Sequence, residues 1–206
     1  MLMKDKVVII SGIGPGLGVE LALLAAREGA EAVVLAARTA SKLSDAAAQI
    51  AGLGLGTRTL EVPTDIAKPE DCRNLIEKSV AAFGRIDALV NSAYIPGKFG
   101  SWEKWDFDDW RKTLDVNLFG SLTLSREAAK VMKDQPARGA IVMVNSMVTK
   151  QVISAQAGYA TSKGALATAT TAMAQELAPL GIRVNSCFMG WMWGANVKGF
   201  VEGMAA

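Results

Sequence analysis

Residues 7–18 read Val7-Val8-Ile9-Ile10-Ser11-Gly12-Ile13-Gly14-Pro15-Gly16-Leu17-Gly18, and this stretch decides the fold. Four consecutive apolar residues, all β-branched, are a strand buried on both faces. Leu17 to Arg27 then carries apolar residues at helical spacing and stops at Gly29. Between them lie four glycines in seven residues, Gly12, Gly14, Gly16 and Gly18. A strand-to-helix turn so rich in glycine lets backbone approach a ligand closely. The helix behind it offers unpaired N–H groups and the positive end of its dipole to a phosphate. The spacing Gly12-x-x-x-Gly16-x-Gly18 is not the common G-x-G-x-x-G, so the turn needs support from the rest of the chain.

Downstream, short apolar runs alternate with longer segments of helical period. Strands are expected at Ala32–Ala36, Thr57–Val62, Ile86–Val90, Ala140–Val144 and Ile182–Cys187. Helices are expected at Ser41–Ile50 with Ser41 as N-cap, at Pro69–Phe83 with Gly84 ending it, at Asp106–Met132 as one long helix, and at Tyr159–Leu177. Strict alternation of this kind predicts an α/β fold: a doubly wound, Rossmann-like parallel sheet in three layers, α/β/α, forming one domain over residues 1–206. Ligands of such sheets bind beyond the carboxyl ends of the strands, so the residues just after each strand carry the function.

Composition narrows that function. Half of the 206 residues are hydrophobic and a fifth charged, as in a globular domain. A net charge of +2, without a basic run, points away from nucleic acid. No apolar stretch is long enough to span a bilayer, and Met1–Lys6 lacks a cleavable leader pattern. Cys72 and Cys187 fall in a helix and a strand of one predicted core, so no disulfide is expected and a reducing cytoplasm fits. The chain has no histidine, which removes Ser-His-Asp and Cys-His catalysis and nearly every zinc site.

Tyr159-Ala160-Thr161-Ser162-Lys163 places a phenol and an ammonium one helical turn apart on one face. A phenol of ordinary pKa near 10 is a poor acid–base catalyst at neutral pH, and a neighbouring cation favours its ionised form. Ser146 lies thirteen residues before Tyr159, at the end of the fifth strand, and Asn117 lies in Asp115-Val116-Asn117-Leu118. An amide within an apolar helical face needs a hydrogen-bond partner.

Together these motifs resemble the short-chain dehydrogenase/reductase family: its TGxxxGxG turn, with Ser11 in place of threonine, its YxxxK pair, and its serine and asparagine at matching spacings. The resemblance runs from Lys6 to about Gly190. It implies an enzyme that interconverts a carbonyl and an alcohol with NAD(P), without a metal. Ser146 would bond the substrate oxygen, Tyr159 would give or take the proton, Lys163 would assist Tyr159 and hold the nicotinamide ribose, and Asn117 would hold a relay water. Gly12, Gly14, Gly16, Leu17 and Gly18 would cradle the pyrophosphate. Asp65 and Ile66 would flank the adenine, and Asn91, Ala93 and Gly190 would line the cofactor's path.

The second strand ends Ala36-Ala37-Arg38, with no acidic residue for a ribose 2′-hydroxyl and an arginine for a 2′-phosphate, which favours NADP(H) over NAD(H). Three departures stand out. Asn91-Ser92-Ala93-Tyr94 replaces NNAG, with Tyr94 in place of the glycine, and Met189-Gly190 replaces Pro-Gly. The chain also ends before the last helix and seventh strand that the resemblance implies.

Trp102, Trp105, Trp191 and Trp193 fall in loops and suit a hydrophobic substrate. Gly190, Gly194, Gly199 and Gly203 lie among large apolar side chains in a segment that reads as a lid. The helix Tyr159–Leu177 carries Gly164, Ala165, Ala167, Ala169, Ala172 and Ala174, and the resemblance implies a homodimer or homotetramer built through it. The rival reading is a non-catalytic nucleotide-binding sensor or scaffold of the same fold.

Overall fold

β1 (Val7–Ser11), β2 (Ala32–Ala37), β3 (Arg58–Pro63), β4 (Ala88–Asn91), β5 (Ala140–Ser146) and β6 (Arg183–Met189) form one parallel sheet in the order β3-β2-β1-β4-β5-β6. A computed structural model describes residues 1–192, 194, 197–199 and 201–202. The strand order reverses between β1 and β4, where Ser11 stands level with Ala36 on one side and Asn91 on the other.

Alternation along each strand divides the core. Val7, Ile9, Ala32, Val34, Leu89, Ile141 and Met143 face α3 (Pro69–Phe83), α5 (Ser121–Met132) and α6 (Ala157–Leu177), contributing Leu75, Leu124, Met132 and Leu166. Val8, Ile10, Val33 and Leu35 face α1 (Leu17–Arg27) and α2 (Ala40–Gly52), contributing Leu23, Ala26, Leu43 and Ile50. Both faces of β1 and β2 are covered, which is why their sequences are unbroken apolar runs.

The bottom of the switch point is tied by a buried carboxylate. Asp87, just before β4, accepts from the Val7 N–H at 2.9 Å and from Arg85 Nη2 at 2.5 Å, with Lys6 Nζ 3.6 Å away. Its own N–H donates to the Val7 carbonyl and its carbonyl accepts from Ala140, so one residue fastens β1, β4 and β5.

The structure departs from the expected elements in four places. The helix expected over Asp106–Met132 is α4 (Phe107–Leu114), a π-helical segment (Asp115–Gly120) and α5. A one-residue expansion of this kind lies within a helical hydrophobic period and leaves no mark on it. Ser41 is not a cap: α2 begins at Ala40, its N-cap position is Thr39, and the Thr39 side chain makes no capping bond. β6 runs two residues further than expected, to Met189. Cys187 is exposed rather than in the core. It pairs in register with Val144, on a face where no described helix covers β5 and β6, and Val142 and Val144 are only partly buried there.

Replacing Asp87 with alanine leaves the Val7 N–H and the Arg85 guanidinium without their shared acceptor. The expected cost is about 2–4 kcal/mol, read as a lower denaturation midpoint at unchanged m-value; an unchanged midpoint would mean the three strands hold together without it.

Candidate active site

The glycine turn is built by close backbone contact. Gly12 (φ 102°) donates its N–H to the Ala36 carbonyl at 2.8 Å, and Ser92 donates to the Ser11 carbonyl at 2.8 Å. A Cβ on Gly12 would sit 2.3 Å from the Ala93 nitrogen, and one on Gly18 would sit 2.2 Å from the Gly12 oxygen. Those two glycines are demanded by the fold. Gly14 and Gly16 face open space, where a Cβ on either meets nothing within 4 Å, although Gly16 (φ 115°) still needs the backbone freedom of glycine. They border an open cleft of about 580 Å³ that runs past Pro15 towards Ser41 and Lys42. α1 has no side-chain cap, so Leu17 and Gly18 open a helix whose first N–H groups are left for a ligand.

The neighbouring positions fall around this turn. Arg38, at the end of β2, is exposed and makes no ion pair among the described residues. Asp65 is half-buried and accepts from the Ala67 N–H at 3.1 Å, while Ile66 is buried against Gly120, where a Cβ would lie 2.7 Å from its oxygen. Asn91 is buried at the end of β4 and donates to Ser125 Oγ at 2.9 Å. Its Oδ1 has no partner, nor has the Ser11 hydroxyl beside it. An unfilled buried acceptor, an uncapped helix and two glycines facing open space fit an extended, phosphate-bearing ligand lying across the switch point.

The catalytic candidates converge at the end of β5. Ser146, the last residue of that strand, has a hydroxyl near enough to the Tyr159 phenol to influence its ionisation, and it accepts from the Val148 N–H at 3.3 Å. Tyr159 stands on the first turn of α6, and Lys163, one turn later, is buried with Nζ donating to the Val144 carbonyl at 2.8 Å. Its Nζ is 5.8 Å from the centre of the Tyr159 ring and 5.8 Å from that of Tyr94.

Burial raises the Tyr159 phenol above its ordinary value, the neighbouring Ser146 hydroxyl opposes this, and Tyr94 adds to it. Burial lowers Lys163 from 10.5 to about 8. The direction for Tyr159 differs from the expectation that a neighbouring ammonium lowers it. The cause is geometric: the ammonium is directed at the Val144 carbonyl, and desolvation outweighs the rest.

Asn117, in the π segment, is fully buried. Its Oδ1 accepts from the Ile95 N–H at 2.8 Å, and its Nδ2 donates to the Ile95 carbonyl at 2.9 Å and to Ser162 Oγ at 3.0 Å. Ser162 in turn donates to the Tyr159 carbonyl at 2.7 Å. The side chain thus staples the segment after β4 to the turn of α6 that carries Tyr159. Sequence reasoning missed Ser162 and Ile95, for nothing in their types or spacing signals the contact.

Met189 pairs in register with Ser146, and Gly190 follows it, exposed, with only the Met147 sulfur 3.8 Å from an added Cβ. Trp102 and Trp105 are exposed as expected of a loop, though Trp102 lies in a short 3-10 turn. Trp105 packs on Trp110 at 5.0 Å between ring centres, and Gly100 ties this segment to Ala155. Trp191 is about half exposed; Trp193 and Gly203 lie outside the described residues. Among the described residues no cluster of three potential metal ligands occurs, and no helix is long and apolar enough to cross a membrane.

The strand order, the open glycine turn at the reversal and the serine, tyrosine and lysine beside it define a dinucleotide-binding α/β enzyme fold. A family model described as short chain dehydrogenase matches residues 6–203, and the chain belongs to that family of oxidoreductases. An uncharacterized oxidoreductase of Staphylococcus aureus (strain MRSA252) is 33% identical over 191 residues, covering 92% of this chain and 79% of its own. The crystal structure of an NAD+-bound xylitol dehydrogenase superposes with a TM-score of 0.89 at 30% identity, over 96% of this chain and 74% of that one. A 3-ketoacyl-(acyl-carrier-protein) reductase from Brucella melitensis, complexed with NADH, gives 0.84 at 29% identity over 91% and 76%.

Two predictions separate fold from site. Gly18→Ala forces a Cβ into backbone and should cost about 1–3 kcal/mol of stability. Gly14→Ala should leave the melting temperature unchanged while weakening nucleotide binding measured by fluorescence titration; equal effects on both quantities would deny the open cleft a ligand.

Lys163→Met should raise stability by about 1–3 kcal/mol at pH 7, since a buried charge is removed. The folded pKa of Lys163 lies below its unfolded value, so the penalty is full below about 8 and relieved by 10.5. The stability gap between variant and wild type should therefore close over that range, and a gap that stays constant would place the charge in water.

Proposed function

We propose that this chain interconverts a carbonyl and a secondary alcohol of a hydrophobic small molecule, using NADP(H). The observation that carries the reading is the convergence of Ser146, Tyr159 and Lys163 at the end of β5, next to the open glycine turn. A bound nicotinamide nucleotide supplies or takes up the hydride. Every other step belongs to the chain.

Gly14, Gly16, Leu17 and the start of α1 hold the pyrophosphate, with Gly12 and Gly18 shaping the turn. Asp65 and Ile66 border the adenine, and Asn91, Ala93 and Gly190 line the way to the nicotinamide. Ser146 donates a hydrogen bond to the substrate oxygen, which positions it against Tyr159. Tyr159 gives its proton to that oxygen in reduction and removes it in oxidation. Lys163 holds the nicotinamide ribose and, while charged, stabilises the phenolate left behind. Asn117 fixes the π segment around the relay to solvent.

The raised pKa keeps Tyr159 protonated at neutral pH, the form that reduction needs. Oxidation needs the phenolate, so the ratio of oxidation to reduction rates should climb as pH rises from 7 to 10. A flat ratio would separate the phenol from the chemistry.

The preference for NADP(H) rests on Arg38, which is exposed just past β2, is without an ion pair among the described residues, and offers a forked cationic donor that suits a 2′-phosphate. Exposed Trp102, Trp105 and Trp191 support an apolar substrate. Assembly as a homodimer or homotetramer rests on α6, whose Gly164 and Ala165 stay partly exposed beside Thr161, Thr168 and Ala172. Two free thiols fit a cytoplasmic setting.

Tyr159→Phe tests the reading. Turnover in a screen of ketones and alcohols should fall at least about a hundredfold, with nucleotide affinity kept. Retained turnover removes Tyr159 from the mechanism. Arg38→Ala should weaken NADPH by about 1.5–3 kcal/mol, roughly ten- to a hundredfold, and NADH little. Equal losses would return the assignment to NAD(H).

A further inference from the structure

The chain has two tyrosines, and the fold brings both to one buried ammonium. Tyr94 comes from the segment after β4 and Tyr159 from α6, yet their ring centres are 6.0 Å apart and tilted by 56°. Lys163 Nζ stands 5.8 Å from each centre, within the reach at which an aromatic face attracts a cation. The sequence places Tyr94 where the family resemblance has a glycine, so the second ring belongs to this chain's own design rather than to the shared pattern. Among the described residues Lys163 has one acceptor, the Val144 carbonyl, and it is only 3% exposed. A cation so placed loses most of its hydration, and two electron-rich faces offset part of that loss.

We propose that Tyr94 is a positioning residue for the acid–base pair: its ring forms the second wall of an aromatic cleft that keeps the Lys163 ammonium charged and beside Tyr159. The proposal rests on the reading of Tyr159 and Lys163 as that pair. The titratable groups facing the ammonium are the two phenols, Tyr94 from the segment after β4 and Tyr159 from α6. β5 presents the Val144 carbonyl, which does not titrate. Burial pulls Lys163 down to about 8, so a modest change in its surroundings moves its charge within the working range of an enzyme.

Ring and hydroxyl are separable by substitution. Tyr94→Phe keeps the aromatic face; Tyr94→Leu removes it while still excluding water, and Tyr94 is half exposed, so neither variant disturbs the core. The lysine side chains are labelled with 13C at Cε and titrated by NMR, with the Lys163 signal assigned by its loss in Lys163→Met. The Lys163 midpoint should match the wild type in Tyr94→Phe. It should fall by about half a pH unit in Tyr94→Leu, the shift equivalent to one cation–π contact. Tyr94→Met, also without a ring, should repeat the fall, and it decides the comparison if the leucine variant folds poorly.

Where turnover is present, the alkaline decline of carbonyl reduction should move with that midpoint. Equal midpoints in the phenylalanine and ringless variants overturn the role of Tyr94 and leave the function intact. A wild type without turnover on any carbonyl or alcohol overturns the acid–base reading itself, whatever the titration shows.

Discussion

Gly12 meets Ser92 and Ala93 backbone to backbone, so closely that a single Cβ on Gly12 would lie 2.3 Å from the Ala93 nitrogen. This contact sets how near the chain leaving β1 passes to the chain leaving β4. It therefore fixes the width of the crevice at the strand reversal. Gly18 repeats the constraint one layer out, against the Gly12 carbonyl, and so fixes where α1 begins. With both turns pressed together, the uncapped start of α1 and the two open glycines border one cleft, and the orphaned Asn91 oxygen is buried at the end of β4 beside Ser11. The pairing of glycines into two that pack and two that face open space is what suits the turn to a close-lying phosphate and distinguishes it from a tight bend.

The parts of this architecture written plainly in the sequence are those governed by burial on two faces. β1 and β2 are continuous apolar runs because helices cover both their sides, and the crossovers follow from strict alternation. Ser146, Tyr159 and Lys163 are legible because a strand end and one helical turn fix their spacing, whatever the loop between them does. The π segment is not legible, since inserting one residue into a long helix barely disturbs its apolar period. Neither is the chain of bonds from Ile95 through Asn117 to Ser162, which joins elements far apart in sequence through residue types common everywhere. The exposure of Cys187 is not legible either, because an apolar strand reads as covered on both faces whereas no described helix lies over that side of β5 and β6.

The π segment answers a positioning problem. A regular helix from Phe107 to Met132 would carry one set of side chains to the core and another to the site without independent adjustment. The wider turns at Asp115–Gly120 shift the phase between α4 and α5, so that Asn117 reaches Ile95 and Ser162 while Leu124 and Met132 still pack on the sheet. Gly120 closes the segment where Ile66 leaves no room for a side chain. One local distortion thus couples the segment after β4, which carries Tyr94, to the helix turn that carries Tyr159.

Burial of Lys163 draws these constraints together. The ammonium lies where a hydrocarbon would be more stable, and its Nζ reaches one carbonyl at the end of β5. The charge is held by what surrounds it: the Val144 carbonyl on one side and two rings on the others, one from α6 and one from the loop that Asn117 fastens. A residue maintained at this cost in stability, on a helix otherwise rich in alanine and threonine, makes sense as part of a working site and not as packing. The same burial that weakens its hold on a proton raises the phenol beside it, and in doing so sets the two ionisations further apart than in water, with the ammonium the first to lose its proton. The phenol therefore keeps its proton at neutral pH while the ammonium lies close to losing one, so the charge on Lys163 is the more readily changed of the two.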